Sequence, residues 1–272
     1  MDFKTYKGEF DMICLHTFVV LGYKESPFLE ECLNSVLHQS YKSNVIIATT
    51  TDNDHIRNLA ERYNLDVVVG KHTNIGGDFD FARLASDSPL VTIAHQDDIY
   101  DYRYAENIVN LYGKYGDASI LFTDYFEIRN GKKEDQNKNL KIKRLLLSPL
   151  KIRFLSRFKF FKRLSISLGN SICCPSVTFA NKSCPETVFT CNLDSNCDWY
   201  AWEKLSKLKG RFVYIPRPLM GHRIDETSTT TEIINSGKRT REDYEMFKKF
   251  WPDFIAKKIT AIYRQSEQSN NV

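Results

Sequence analysis

Val91-Thr92-Ile93-Ala94-His95-Gln96-Asp97-Asp98-Ile99-Tyr100 runs from a short β-branched apolar stretch straight into two adjacent carboxylates. An apolar run of this length is a buried strand. In open α/β sheets, ligands gather beyond the carboxyl ends of the strands. Carboxylates placed there do not serve the core, because burying unpaired charge is too costly. They suit a hard divalent cation, and such a cation in turn suits a diphosphate. Upstream, Lys71-His72-Thr73-Asn74-Ile75-Gly76-Gly77-Asp78 adds a glycine-containing turn. The pair of stretches implies an enzyme acting on a nucleotide-activated substrate.

Working outward, the first third of the chain alternates strand and helix signals. Residues 12–21, 44–49, 65–69 and 90–94 read as strands, rich in β-branched and aromatic side chains. Ser26-Pro27 predicts a helix start, with Leu29, Leu33, Val36 and Leu37 on the face turned to the sheet. Further helices are predicted over 54–63 and 79–85. This βαβα order predicts a mostly parallel sheet with right-handed crossovers. Beyond Asp98 the expectations are a helix over 102–115, a strand over 119–127 and a polar loop over 130–139. A strand over 171–179, a helix over 198–208, a strand over 212–215 and a helical tail over 242–263 follow.

The 272 residues can bury a substantial core, and 42% hydrophobic composition excludes global disorder. The start of the chain lacks an apolar signal core, and no apolar run reaches the length of a spanning helix. The expectation is a cytoplasmic protein, peripheral on the inner face of the cell membrane. Seven cysteines without a CxxC pair suit free thiols better than disulfides or a zinc site. Charge is unevenly spread: 141–163 holds nine Lys or Arg and no acid, so of the overall +4 the remainder carries −5 (four minus nine). Leucines and phenylalanines interleave those cations. The segment is therefore expected to lie on an anionic membrane surface rather than on nucleic acid, with Pro149 dividing it into two short helices.

These residues resemble glycosyltransferase family 2, members of the GT-A fold, from about residue 12 to 230. Phe18-Val19-Val20-Leu21-Gly22-Tyr23-Lys24-Glu25 and the helix Phe28 to Ser40 resemble its opening strand and helix. Asn74-Ile75-Gly76-Gly77 resembles its Asn-x-Gly loop, and His95-Gln96-Asp97-Asp98 falls at its Asp-x-Asp-Asp metal motif. Cys197-Asp198-Trp199 falls at its Glu-Asp pair, and Gly221-His222-Arg223 with Ser228-Thr229-Thr230 at its closing segment. The sequence departs from the family in several places. Thr49-Thr50-Thr51-Asp52 replaces Asp-Asp-Gly-Ser, His95 replaces the first metal-motif Asp, and Asp80 stands where Asn is common. Asp225 replaces the closing His, and His222 lies too early to substitute cleanly.

The resemblance implies a GT-A fold: Rossmann-like, with a mostly parallel central sheet flanked by helices, a basic amphipathic insertion and a C-terminal helical tail. Residues 1–235 would form the glycosyltransferase domain, with 12–100 the nucleotide half and 101–235 the acceptor half; 236–272 would form the tail. Asp97 and Asp98 would hold Mn2+ or Mg2+, with Asp98 favoured as the direct ligand; the competing role for either is a helix cap. Asp198 is the expected general base, with Asp194 its nearest rival. Tyr23, Glu25, Thr50, Asp52, Asn74, Gly76, Gly77, Asp80 and Gln96 would line the nucleotide site, with His222 and Arg223 clamping the diphosphate. The implied partners are a nucleotide-sugar donor, UDP-linked by default, and a glycan or lipid-linked acceptor in polysaccharide biosynthesis. Alternatives are a catalytically disabled GT-A-like module that binds membranes or partners, and a nucleotidyltransferase. A dehydrogenase is disfavoured, because no GxGxxG follows strand one.

Overall fold

A computed structural model describes residues 14–224 and 238–268. The first half is β1 (His16–Gly22), α1 (Leu29–Leu37), β2 (Asn44–Thr49), α2 (Asp54–Tyr63), β3 (Val67–Val69), α3 (Ile75–Leu84) and β4 (Leu90–His95). The strands pair in parallel in the order β3-β2-β1-β4, each crossover made by a helix. Asn53 and Asn74 cap α2 and α3, accepting from the Ile56 and Gly77 amides at 3.0 and 2.7 Å. The Asn74 cap starts α3 four residues earlier than its apolar spacing suggests. Ser26 does not cap α1; the chain makes one turn first, and the helix opens at Leu29 without a side-chain cap.

The second half is β5 (Ile99–Tyr100), α4 (Tyr104–Lys114), β6 (Ala118–Arg129), β7 (Lys132–Glu134), α5 (Lys138–Leu146), α6 (Ser148–Lys151), a 3-10 turn at Leu155–Arg157 and α7 (Lys159–Ile166). Then come β8 (Val177–Ala180), α8 (Cys197–Lys207), β9 (Arg211–Ile224), α9 (Lys238–Lys248) and α10 (Asp253–Gln268). The sheet continues β4-β8-β6-β9-β5, with β8 antiparallel to β4 and β6, and β9 parallel to β6. Only the turn Gln96-Asp97-Asp98 separates β4 from β5 in the chain, yet the two sit at opposite ends of this run of strands. The sheet therefore curls, and the acidic turn lies where it closes.

Apolar layers cover both faces. On one, Leu33, Ile56, Leu59 and Ile108 pack beneath α1, α2 and α4. On the other, Trp199, Trp202, Ile166, Met246 and Phe247 join α7, α8 and the C-terminal helices. Trp199 meets Phe247 edge to face at 5.0 Å, and the Trp251 indole donates to the Ser167 carbonyl. Met246, Phe247 and Ala256 thus bring the two C-terminal helices into the second core. All seven cysteines are free. No helix among the described residues is long and apolar enough to cross a membrane.

Candidate active site

The site is built on the carboxyl ends of β1, β2 and β4 and on the far end of β9. His95, Asp97 and Asp98 each offer a ligand atom within 4.8 Å of the others. Neither aspartate caps a helix, since β5 follows directly and α4 opens only at Tyr104. Asp98 is fully buried. One of its oxygens accepts from the Arg223 amide at 2.8 Å and from His222 Nδ1 at 3.1 Å. Asp97 is half-buried and is the carboxylate with access to solvent. Burial first, and the neighbouring Asp98 charge second, hold the Asp97 carboxyl above the usual carboxylate range.

The two histidines differ. Burial pushes His95 down against the pull of Asp98 and Asp97. Burial also opposes charge on His222, but Asp98 outweighs it and raises the imidazole above its ordinary value. His95 stacks on Phe79 at 5.2 Å, and its Nε2 is buried without a hydrogen-bond partner. Two crowded carboxylates beside an orphaned imidazole nitrogen form a set that a divalent cation would relieve. Hard carboxylate oxygens fit Mn2+ or Mg2+.

Arg223 is not a free cation. Its guanidinium donates to the Asp97 carbonyl at 2.9 Å, pairs with Glu31 and lies 4.0 Å over the Phe28 ring. Those contacts tie the acidic turn to α1, where the sequence suggests a clamp for the diphosphate. Gln96 works similarly: its amide exchanges two 2.9 Å hydrogen bonds with the Tyr23 backbone, joining the ends of β1 and β4. Next in the chain, Lys24 takes a left-handed conformation (φ 54°) and donates its amide to Thr51 Oγ1. That backbone costs a non-glycine residue about 1 kcal/mol and turns the chain at the mouth of the site. Tyr23 and Glu25 lie exposed on this turn.

The other expected nucleotide residues divide. Asp52 is held by two 2.7 Å bonds from Arg57. Asp80 lies away from solvent and accepts from the Val188, Phe189 and Thr190 amides and the Thr190 hydroxyl, so it anchors the loop over α3. Gly76 belongs to the same join: a Cβ there would lie 2.5 Å from the Phe189 carbonyl oxygen. At Gly77, a Cβ would strike Thr73 Oγ1. Thr50 donates to Asp78 at 3.0 Å, and His72 Nδ1 meets the same carboxylate oxygen at 2.8 Å. Sequence reasoning missed Asp78 and His72. The available signal was an acid directly after the paired glycines, in the first turn of a helix.

Asp198 stands in the first turn of α8, with its carboxylate accepting from Asn170 Nδ2 and from the Trp199 amide, each at 2.7 Å. Burial raises its pKa above the ordinary value, more than these two hydrogen bonds lower it. A carboxylate of raised pKa is a stronger proton acceptor than an ordinary one. The loop before it is fixed from α9, where Glu242 accepts from the Ser195 amide and hydroxyl and from the Asn196 amide. Asp225 and Ser228-Thr229-Thr230, expected in a closing segment, lie outside the described residues.

Comparison with known proteins identifies the family and the fold. The model of glycosyl transferase family 2 matches residues 17–184, and the chain belongs to that family. It is a glycosyltransferase of GT-A architecture. TarS of S. aureus (residues 1–349) is similar in fold, with TM-score 0.58, 13% identity, and 94% of this chain and 72% of that one covered. The same protein solved with UDP-GlcNAc gives TM-score 0.58, 13% identity, and 94% and 73% coverage. The mannosyltransferase PcManGT of Pyrobaculum calidifontis, solved with GDP-Man and Mn2+, gives TM-score 0.55, 13% identity, and 95% and 76% coverage. No curated protein matches the chain.

Proposed function

We propose that this chain is an inverting, metal-dependent transferase that moves a sugar from a nucleotide-sugar to a glycan or lipid-linked acceptor in polysaccharide biosynthesis. The observation that carries this reading is the crowding of His95, Asp97 and Asp98 at the closing turn of the sheet. Asp97 and Asp98 would hold Mn2+ or Mg2+, and a cation bound there supplies positive charge to a leaving diphosphate. Donors carried by UDP and GDP in the similar structures support a nucleotide-sugar here. UDP is the default, although Asp52 is engaged by Arg57 and the Thr50–Asp78–His72 group is the alternative surface for a base.

Asp198 takes the proton from an acceptor hydroxyl. The freed oxygen attacks the anomeric carbon opposite the diphosphate, and the carbon–oxygen bond to the diphosphate breaks with its electron pair on the leaving group. A single displacement inverts the anomeric configuration. Asn170 and the Trp199 amide hold the carboxylate in place for this role. The rival reading, a disabled module, draws on His95 in place of the family aspartate.

Nucleoside diphosphate release from UDP-glucose, UDP-GlcNAc and GDP-mannose, with Mn2+ present, separates the two. Turnover with one donor, falling about 10³-fold in Asp198→Asn while nucleotide binding persists, is expected. Release from none of the donors, or release unaffected by that substitution, would sink the catalytic assignment.

A further inference from the structure

The 141–168 stretch buries Leu147, Leu150 and Ile166 in the second core, but part of its polarity is reversed. A solvated helix buries its apolar stripe and exposes its charges. In α7, Lys162 and Ser165 are fully buried, with the Lys162 ammonium donating to the Leu208 and Gly210 carbonyls at 2.8 and 2.9 Å. The outward face carries Phe160 and Leu164, and Leu168 extends it at the same four-residue spacing just past the helix end; all three are exposed. The reversal continues upstream through Ile152, Phe154 and Phe158, with Phe154 and Phe158 touching edge to face at 5.1 Å. Phe154 is 63% exposed and Phe160 67%. Eight of the seventeen large apolar side chains exposed among the described residues fall within 142–168, about a tenth of the chain.

The cations sort themselves around this surface. Lys143, Arg144, Arg153, Lys162 and Arg163 point to internal carbonyls, carboxylates or a phenol. Lys141, Lys151, Arg157 and Lys159 stay exposed, interleaved with the outward phenylalanines. Phosphate binding alone needs no such apolar surface, and a second copy of this chain would meet like charge. Aromatic side chains among exposed cations match the headgroup and acyl boundary of an anionic bilayer.

We infer that Ile152, Phe154, Phe158, Phe160 and Leu164, ringed by Lys151, Arg157 and Lys159, form a seat on an anionic phospholipid surface. The seat rests on these side chains alone. Its service to catalysis rests on the transferase reading: Leu168 lies two residues from Asn170, whose amide holds Asp198. A bilayer under α7 would border the side of the site where a lipid-linked acceptor must arrive.

Co-sedimentation of the full chain tests this, with vesicles of phosphatidylcholine alone against vesicles containing about one-third phosphatidylglycerol. Binding to the anionic vesicles is expected, weakened roughly 25-fold in Lys151→Gln/Arg157→Gln, at about fivefold per cation. Phe154→Ser/Phe160→Ser should weaken it about tenfold or more, with the nucleotide-dependent thermal shift intact in both variants. Absence of anionic-vesicle binding overturns the proposal, as does binding that survives both double substitutions. So does a shift of the same residues to self-association or RNA binding without vesicle binding. Vesicle binding by a protein with no nucleotide response would instead count against the transferase reading and leave the seat standing.

Discussion

The Asp97–Asp98 turn and the 141–168 segment handle charge in opposite ways. In the turn, two carboxylates are drawn inward with few partners: Asp98 has an amide and an imidazole, and Asp97 is left raised by burial and repulsion. In the segment, nine cations look in sequence like one basic amphipathic surface, yet five are consumed by internal acceptors and four stay outward among exposed phenylalanines and aliphatic side chains. Desolvated charge without full compensation is the mark of a site awaiting a counter-ion. Desolvated charge that is fully hydrogen-bonded is scaffold.

The largest effects should come from the turn. Asp97→Ala is expected to cut metal-dependent transfer about 10³-fold, some 4 kcal/mol of barrier, with no loss of thermal stability. Asp98→Ala should match that loss and also destabilise the fold by about 2 kcal/mol, because the buried Arg223 amide and His222 lose their acceptor. Denaturation of the two variants side by side checks this. Equal stability would mean that the two carboxylates are equivalent, contrary to their burial.

The segment offers an internal contrast between inward and outward cations. Arg163→Met should cost about 2–3 kcal/mol, since it strips a partner from buried Glu203 and leaves only Lys207 beside it. Lys159→Gln, on the outward face, should stay within about 0.5 kcal/mol. Urea titrations that rank these two the other way round would break the sorting.

Asp198 gives a smaller, pH-dependent effect. Its folded pKa is raised, so the native state holds an extra proton from the ordinary aspartate range, about 3.9, up to the raised value. Stability is therefore lost as pH rises through that window. Asp198→Asn should stabilise the protein at neutral pH and flatten this dependence, which urea titrations at several pH values would show. In the wild type, the acid limb of kcat/KM should lie above the usual carboxylate range. An acid limb at or below that range would remove Asp198 from the role of base.

The parallel half of the fold was legible because its signals are local. β-branched runs mark β1, β2 and β4, and apolar spacing marks α1 and α2, whereas the start of α3 is set by the Asn74 cap that apolar spacing does not show. The second half was less so. β9 continues to Ile224 through Pro216 and Pro218, which look in sequence like the end of a strand; it tolerates them where its register against β6 shifts around Asp124. The two-residue β5 carries almost no pattern. The site was legible as a set of residue types but not as roles. Arg223 and Asp98 meet across 125 residues, and Asp80 reaches a loop more than 100 residues away. No local spacing records whether a side chain at such a distance supports the site or touches a ligand.

Thermal unfolding of the purified protein with UDP, GDP and dTDP, each with and without Mn2+ and with Asp97→Ala alongside, tests the central claim most directly. One nucleotide at about a hundredfold excess over its Kd should add about 2.7 kcal/mol of stability. That gain should require the metal and vanish in the variant. A protein that responds to no nucleotide, or responds equally without metal, would contradict the assignment of the Asp97–Asp98 turn.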